Sequence, residues 1–396
     1  MNFFEKADYS KLVVGIIGLG YVGLPLSKAF ASKKIKVIGF DINLNQIDML
    51  NKNKSYINHI ANNDIKKMRS ESGFECTTDY SKISEVDAII ICVPTPLTKS
   101  DKPDLRPIYN TANSIVPFLK QNQIVILESS TYPGTTQEEL GKILEKSKLK
   151  KDEDFFLAYS PEREDPGNKD FSTMTIPKIV GADSEKALEM AEKLYSIIIE
   201  KVISVSSTKV AEAVKLTENI FRSVNIALVN ELKIIFDSMD IDIWEVIDGA
   251  SSKPFGFMPH YPGPGLGGHC IPIDPFYLKH KAKEFNIDTQ FIELASKINR
   301  DMPNFVVSKI KEALIKNKIS IKKSKILLVG LSYKKNVDDM RESPSLKIIE
   351  ILEKNQIYCD FHDPYIETIN NLRNFKKIKH SVGLNKMNLK TYDAVV

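Results

Sequence analysis

The chain has 396 residues, enough for two or three domains, with 42% apolar residues, 27% charged residues and a formal net charge of +4. No run of about 18 uncharged apolar residues occurs, which excludes an ordinary membrane-spanning helix; so small a basic excess is no argument for nucleic acid and suits an anionic small substrate. The first residues lack the pattern of a secretory leader. The four cysteines (Cys76, Cys92, Cys270, Cys359) are far apart with no CxxC pair, so reduced thiols in the cytoplasm, and no metal, are expected.

Taken in chain order, residues 12–17 form an apolar run ending at Gly18, and Leu24, Leu26, Ala29 and Phe30 follow at helical spacing. Residues 36–40 read as a second strand ending at Asp41. Further short apolar runs cover 88–93, 124–128, 155–159 and 178–181. Buried strands alternating with helices predict a parallel α/β sheet. From 210 to 239 there is no Gly or Pro, and apolar residues keep helical spacing. That predicts one helix of about 30 residues, roughly 45 Å long, suited to joining domains or forming a subunit interface. Residues 251–268 are rich in Pro, Gly and aromatics and read as a loop. Residues 324–330 open a second α/β unit, with its helix over 343–352 and its next strand over 358–362. The chain ends at Tyr392-Asp-Ala-Val-Val396, which reads as part of a buried strand, so a longer natural product is expected.

Gly18-Leu-Gly20-Tyr21-Val22-Gly23 follows a strand and opens a helix. Gly18 permits the tight turn, Gly20 lets a pyrophosphate approach the backbone, and Gly23 allows close helix–strand packing. Asp41, 18 residues after Gly23, stands where a carboxylate binds ribose hydroxyls. Ile42 and Asn43 follow with no arginine for a 2′-phosphate, so NAD is expected rather than NADP.

Residues 265–274 read Gly-Leu-Gly-Gly-His-Cys-Ile-Pro-Ile-Asp. The glycines set Cys270 in a loop nearly free of side chains, with Asp274 four residues on. A small buried cysteine is the plain alternative; a nearby cation would instead make the thiol a nucleophile. Lys215 and Asn219 share a face of the long helix, within a polar series of Lys215, Glu218, Asn219, Arg222 and Asn225. Ser129–Thr136 and Ser160-Pro-Glu-Arg-Glu164 each follow a strand, where ligands sit in open α/β sheets; turn-rich loops are the plain alternative.

Together these pieces resemble the nucleotide-sugar 6-dehydrogenase family: Gly18–Gly23 with Asp41, Val93-Pro-Thr95-Pro, Ser130-Thr131-Tyr-Pro-Gly-Thr, Tyr159-Ser-Pro-Glu-Arg, Lys215-Leu-Thr-Glu-Asn219, the Cys270 loop, and Tyr333-Lys-Lys with Arg341-Glu-Ser. The resemblance implies two Rossmann-like doubly wound α/β domains joined by a long central helix and a small helical region. The cofactor domain would cover 1–207, the helical, dimer-forming, cysteine-bearing part 208–318, and a UDP-sugar domain 319–396. It also implies NAD-dependent oxidation of a sugar C6 hydroxyl to a carboxylate, by a homodimer. Cys270, Lys215, Asn219, Asp274, Thr131 and Glu162 would be catalytic. Gly18, Gly20, Tyr21, Val22, Gly23, Asp41, Thr95, Thr131 and Arg341 would hold the cofactor. Substrate contacts would come from Glu162, Arg163, Glu164, Lys215, Asn219, Arg222, Phe257, His260, Tyr261, Gly263, Gly265, Tyr333 and Lys334. The loops at 159–168 and 257–268 look most like members acting on UDP-GlcNAc or UDP-GalNAc. UDP-ManNAc and UDP-glucose are the alternatives within the family. A two-electron hydroxyacid dehydrogenase would leave the cysteine loop and second domain without use, and a non-catalytic NAD sensor would leave Cys270 and Lys215 without a task.

Overall fold

The computed structural model describes residues 9–57, 60–98, 100–163, 174–268, 271–370, 378–385 and 389–396. The chain folds as two compact units: Met1–Glu218 with Phe276–Phe285, and Asn219–Pro275 with Asn286–Val396.

The first unit is built on eight strands: β1 (Val13–Ile17), β2 (Lys36–Phe40), β3 (Glu75–Thr77), β4 (Ala88–Ile91), β5 (Ile124–Leu127), β6 (Phe156–Tyr159), β7 (Lys178–Ala182) and β8 (Val202–Val205). Their order is β3-β2-β1-β4-β5-β6-β7-β8. The order reverses between β1 and β4, the position at which open α/β sheets bind ligands beyond the carboxyl ends of their strands. β4, β5 and β6 are buried throughout, which is why they read as unbroken Ile, Val, Leu and aromatic runs instead of alternating. The helices of this unit include α1 (Gly23–Ser32), α2 (Leu44–Asn51), α3 (Asn62–Ser72), α4 (Arg106–Ile115), α5 (Gly141–Leu144) and α6 (Glu185–Ser196). Leu26, Phe30, Ile65, Met190 and Leu194 from α1, α3 and α6 join Val14, Ile90 and Ile126 from the sheet in one core. One pair departs from the all-parallel expectation: β7 runs antiparallel to β6. A parallel neighbour needs a crossover back to the starting edge, whereas β7 begins at the edge where β6 ends.

α7 (Thr208–Asp237) is the long helix, and it is followed by α8 (Ile243–Ser251), α9 (Asp274–Glu284), α10 (Gln290–Lys316) and α11 (Pro344–Lys354). In the second unit β9 (Lys325–Val329) pairs in parallel with β10 (Tyr358–His362) and, further on, β11 (Thr368–Ile369) pairs antiparallel with β12 (Lys379–His380). β13 (Ala394–Val395) adds to the other side of β9, giving the order β10-β9-β13. Leu328 and Phe361 pack against Leu314 from α10 and Ile349 and Leu352 from α11.

The first unit and the α/β part of the second open with the same device. In the first, Gly18 N donates to Phe40 O (2.8 Å), Leu19 N to Asp41 Oδ2 (2.9 Å) and Asn43 N to Asp41 Oδ1 (2.9 Å). In the second, Gly330 N donates to His362 O, Leu331 N to Asp363 Oδ2 and Tyr365 N to Asp363 Oδ1, each at 2.8 Å. Gly18 and Gly330 both take left-handed φ values, 91° and 98°, which glycine adopts without a Cβ penalty. The likeness extends to the third strand of each set: Asp87, just before β4, accepts from Val13 N, and Asp393, just before β13, accepts from Lys325 N. The second turn differs in carrying Ser332 and Lys335 where the first has Gly20 and Gly23.

Burial alone would raise the Asp363 pKa, but the backbone N–H groups of Leu331, Tyr365, Ser332 and Ile366 outweigh it and hold the carboxyl below its ordinary value. A depressed carboxyl stabilises the fold above the unfolded pKa and loses that contribution as pH falls through the folded one. Asp363→Ala is therefore expected to destabilise the second unit at neutral pH by about 1–3 kcal/mol for each N–H group left unsatisfied. In denaturant titrations the gap from the unsubstituted protein should close below about pH 4. A pH-independent gap would refute the charged-anchor account.

Candidate functional site

The glycine turn leaves room where a dinucleotide must pass. A Cβ at Gly23 would lie 1.9 Å from Gly18 O and one at Gly18 would lie 2.7 Å from Cys92 O, whereas one at Gly20 meets nothing within 4 Å. Gly18 and Gly23 are thus required by packing, and Gly20 faces open space at the N-terminus of α1. Unpaired N–H groups and the helix dipole favour an anion at such a place. Asp41 is partly exposed beside the turn, held by Leu19 N and Asn43 N, with acceptor capacity left for ribose hydroxyls. Tyr21 is exposed, Val22 partly so, and Thr95 is buried with its carbonyl accepting from Tyr277 Oη at 2.9 Å. These residues fit NAD, and Asp41 would hold its ribose.

Along the same sheet edge, Ser129 Oγ donates to Val93 O (2.7 Å) and Thr131 Oγ1 to Thr135 Oγ1 (2.6 Å). Thr131 is fully buried. Lys215 Nζ, on a side chain almost wholly buried, donates to Glu162 O at 2.5 Å. Arg163 forks onto Glu218, with Nη2 to Oε1 at 2.5 Å and Nε to Oε2 at 3.3 Å, and Nη1 donates to Pro177 O. Its guanidinium is thus committed to protein partners.

In the second unit Asn219 Nδ2 donates to Asp274 Oδ2 at 2.5 Å, both residues buried. The loop leading to the cysteine is pinned from beneath. Asn230 Oδ1 accepts from Gly263 N, Asn230 Nδ2 donates to Asn299 Oδ1, and Asn299 Nδ2 donates to Ser223 O. Tyr261 stacks on Trp244, and His260 meets the edge of Phe221. Phe257 is exposed and Arg222 lies at the surface. A Cβ at Gly265 would stand 3.0 Å from Asn299 O, at Gly267 2.6 Å from Tyr333 Cβ, and at Gly268 2.8 Å from the Tyr333 ring. Close packing therefore demands these glycines, a reason the sequence did not disclose. Tyr333 and Lys334 are partly exposed in the turn after β9, and Arg341 forks onto Asp339. Cys270 and Glu164 lie outside the described residues.

The polar series anticipated on α7 is partly displaced. Lys215 and Asn219 are buried, but Arg222 is exposed and Asn225 only half-buried; the buried polar positions are Thr208, Glu212, Lys215, Asn219, Ser223 and Asn230. Their spacing follows one helical face; Asn225, six residues after Asn219, points about 120° away from it, while Arg222, seven residues after Lys215, lies at the edge of that face and is exposed. Glu212, Ser223, Asn230 and Asn299 went unrecognised, although the helical spacing of the first three was there to be read.

Glu212 accepts from Gly134 N (2.6 Å), Thr136 N (2.9 Å) and Thr136 Oγ1 (2.6 Å), clamping the turn that follows Thr131. Burial dominates and raises its pKa to about 7, against the lowering effect of these bonds. A carboxyl raised in the fold stabilises it fully below the ordinary value of 4.5 and loses that contribution as pH rises through about 7. Glu212→Gln is therefore expected to flatten the decline of melting temperature across neutral pH. Parallel pH profiles for the two proteins would contradict this.

The turn, the helix dipole and Asp41 define a nucleotide-dependent oxidoreductase of the NAD class. Family models identify it further. The UDP-glucose/GDP-mannose dehydrogenase family NAD binding domain matches residues 12–199, its central domain 209–301 and its UDP binding domain 327–396. The chain belongs to this family and is an NAD-dependent nucleotide-sugar dehydrogenase. It is 39% identical over 357 residues to the UDP-N-acetyl-D-glucosamine 6-dehydrogenase of Pseudomonas aeruginosa, covering 90% of this chain and 83% of that one. Identity to the UDP-N-acetyl-D-mannosamine dehydrogenase of Pyrococcus horikoshii is 37% over 358 residues, 89% of this chain and 84% of that one. A solved structure of the Pyrococcus horikoshii UDP-D-ManNAc dehydrogenase superposes with a TM-score of 0.84 at 35% identity, over 91% of this chain and 86% of that chain. Among the described residues no helix is long and apolar enough to cross a membrane.

Proposed function

We propose that the chain oxidises the C6 hydroxyl of a UDP-N-acetylhexosamine, UDP-GlcNAc or UDP-GalNAc, to the uronic acid in the cytoplasm, for surface polysaccharide synthesis. The observation that carries this reading is the buried Asn219–Asp274 bond. Its aspartate lies four residues from Cys270 in sequence, and Asn219 follows Lys215 by four residues, about one helical turn, on α7. The reading assigns cofactor binding to 1–207, the helical cysteine-bearing part to 208–318 and sugar-nucleotide binding to 319–396.

The Gly18–Gly23 turn and Asp41 would hold NAD, which would supply the hydride acceptor for each of two oxidations, so that one alcohol, two NAD and one water become one carboxylate, two NADH and three protons. Cys270 adds its sulfur to the C6 aldehyde, forming a thiohemiacetal that the second oxidation converts to a thioester. Water then bonds to the acyl carbon, the carbon–sulfur bond breaks and the thiol is regenerated. Lys215 places a fixed cation beside the developing oxyanion in a water-poor setting, where it acts most strongly. Asn219 orients that region, Asp274 moves protons, and Thr131 and Glu162 hold the water. Lys334 pairs with a phosphate, Tyr333 adds a further substrate contact and Arg341 meets the cofactor. The mannosamine epimer is the second reading, favoured by the resemblance to the Pyrococcus horikoshii enzyme.

The expected yield is two NADH per sugar, with Cys270→Ala abolishing uronate formation while NAD still binds. Uronate made by that variant at near the original rate would rule out the thioester route. Side-by-side turnover of UDP-GlcNAc, UDP-GalNAc, UDP-ManNAc and UDP-glucose decides the sugar; equal or better use of UDP-glucose or UDP-ManNAc would overturn the choice made here.

The proposed homodimer is supported by Phe221, Leu228 and Ile235, seven residues apart along α7 and each 43–51% exposed. A second copy would cover this apolar stripe. Light scattering is expected to find a dimer, and Leu228→Glu with Ile235→Glu to give a folded monomer; an unchanged mass would place the interface elsewhere.

A further inference from the structure

The loops leaving β5 and β6 are tied together by a side chain that none of the motifs contains. In the antiparallel pair of β6 and β7, Ala158 lies opposite Ala182 and Tyr159 opposite Gly181. Continued past the ladder, that register sets Glu162 opposite Lys178 and Arg163 opposite Pro177. The contacts follow it. Ser160 Oγ donates to Ile179 O at 2.8 Å, Lys178 Nζ lies 3.6 Å from Glu162 Oε2, and Arg163 Nη1 donates to Pro177 O at 2.6 Å. Side chains thus extend the pairing where the backbone bonds stop.

Lys178 also reaches across to β5. Its ammonium is 3.0 Å from Glu128 Oε2 and 5.1 Å from the centre of the Tyr195 ring, and the Tyr195 hydroxyl donates to Glu128. The Lys178 and Glu128 side chains are only 6% and 0% exposed. Burial opposes the charge on Lys178, but Glu128 and Glu162 outweigh it and hold its pKa above the ordinary lysine value. Glu128 immediately precedes the Ser129–Thr131 turn, and Glu162 belongs to the loop whose carbonyl receives Lys215. A buried cation shared by two carboxylates constrains both, because moving either leaves charge without a partner in a medium that solvates it poorly.

We infer that Lys178 is a positioning residue, which holds Glu162 directly and the Thr131 turn through Glu128, so that the hydrolytic water is placed correctly. The inference rests on the reading of Glu162 and Thr131 as the water-holding pair. Lys178 acts through the Glu128 and Glu162 carboxylates and not by touching substrate or cofactor.

The test compares Lys178→Met and Lys178→Arg with the unsubstituted enzyme, measuring kcat, the KM for each substrate, and the intact mass of the protein during turnover. For Lys178→Met, kcat should fall on the order of 10–100-fold, the usual consequence of a slightly misplaced reacting group. The KM for NAD should stay within about two-fold, since uniform binding is untouched. A hydroxylamine-sensitive sugar adduct on the enzyme should accumulate, and Lys178→Arg should recover most of the rate. If Lys178→Met does not fold, the double variant Glu128→Gln with Lys178→Met removes both buried charges and carries the same measurements. A folded variant with undiminished kcat, a loss expressed mainly in the KM for NAD, or no recovery by arginine would each overturn the inference. Failure of the underlying reading shows separately, in the unsubstituted enzyme, as one NADH per sugar. The kcat fall and its recovery by arginine still judge Lys178 in that case.

Discussion

A polar group taken out of water must find a partner, and on α7 this requirement organises the loops that matter. Glu212, Lys215, Asn219 and Asn230 are all buried on that helix. Each settles on a different segment: Glu212 on Gly134 and Thr136, Lys215 on Glu162 O, Asn219 on Asp274, and Asn230 on Gly263 and Asn299. None of these segments is a regular strand. Gly134, Glu162 and Gly263 lie in turns or loops, whereas Asp274 opens α9 and Asn299 lies within α10. A buried donor or acceptor left unmet costs about 1–3 kcal/mol, so each bond selects one loop arrangement from many.

Much of this was legible in the residues. The central strands announced themselves as short β-branched runs, because a sheet covered on both faces needs no polar alternation. The glycine turn and Asp41 were equally plain, since their spacing is dictated by a local turn. What escaped was whatever depended on register across the sheet or on rotation about a helix. β7 reads like any buried strand, and nothing in its composition says that it runs backwards along β6. Lys178 looks like the first residue of that strand, and its partners Glu128 and Glu162 are 50 and 16 residues away. Asn225 was grouped with Lys215 and Asn219, although six steps along a helix from Asn219 turn a side chain about 120° away.

The internal likeness between the two units shows how one backbone device serves two purposes. Asp41 receives two backbone N–H groups and keeps capacity to spare. Asp363 receives four, together with the Ser332 hydroxyl, and is saturated. The first carboxylate remains available to a ligand; the second is wholly structural. With Ser332 and Lys335 in place of the pyrophosphate-admitting glycines, the second turn presents Tyr333 and Lys334 instead, which suits contact with a sugar nucleotide's edge and phosphate more than enclosure of a dinucleotide.

The contact of Gly267 and Gly268 with Tyr333 also governs the order in which this sequence can change. A methyl group at Gly268 collides with the Tyr333 ring, and one at Gly267 with Tyr333 Cβ, which every residue but glycine keeps; truncating the tyrosine first would open a void, and each step alone is a loss. Gly268 adds a left-handed φ of 82°, so even a smaller neighbour would not make alanine comfortable there. The three positions therefore form an epistatic lock. Substitution would meet less resistance at Phe257 or Tyr261, which are 40% and 47% exposed, than at the glycines that carry the chain toward its cysteine.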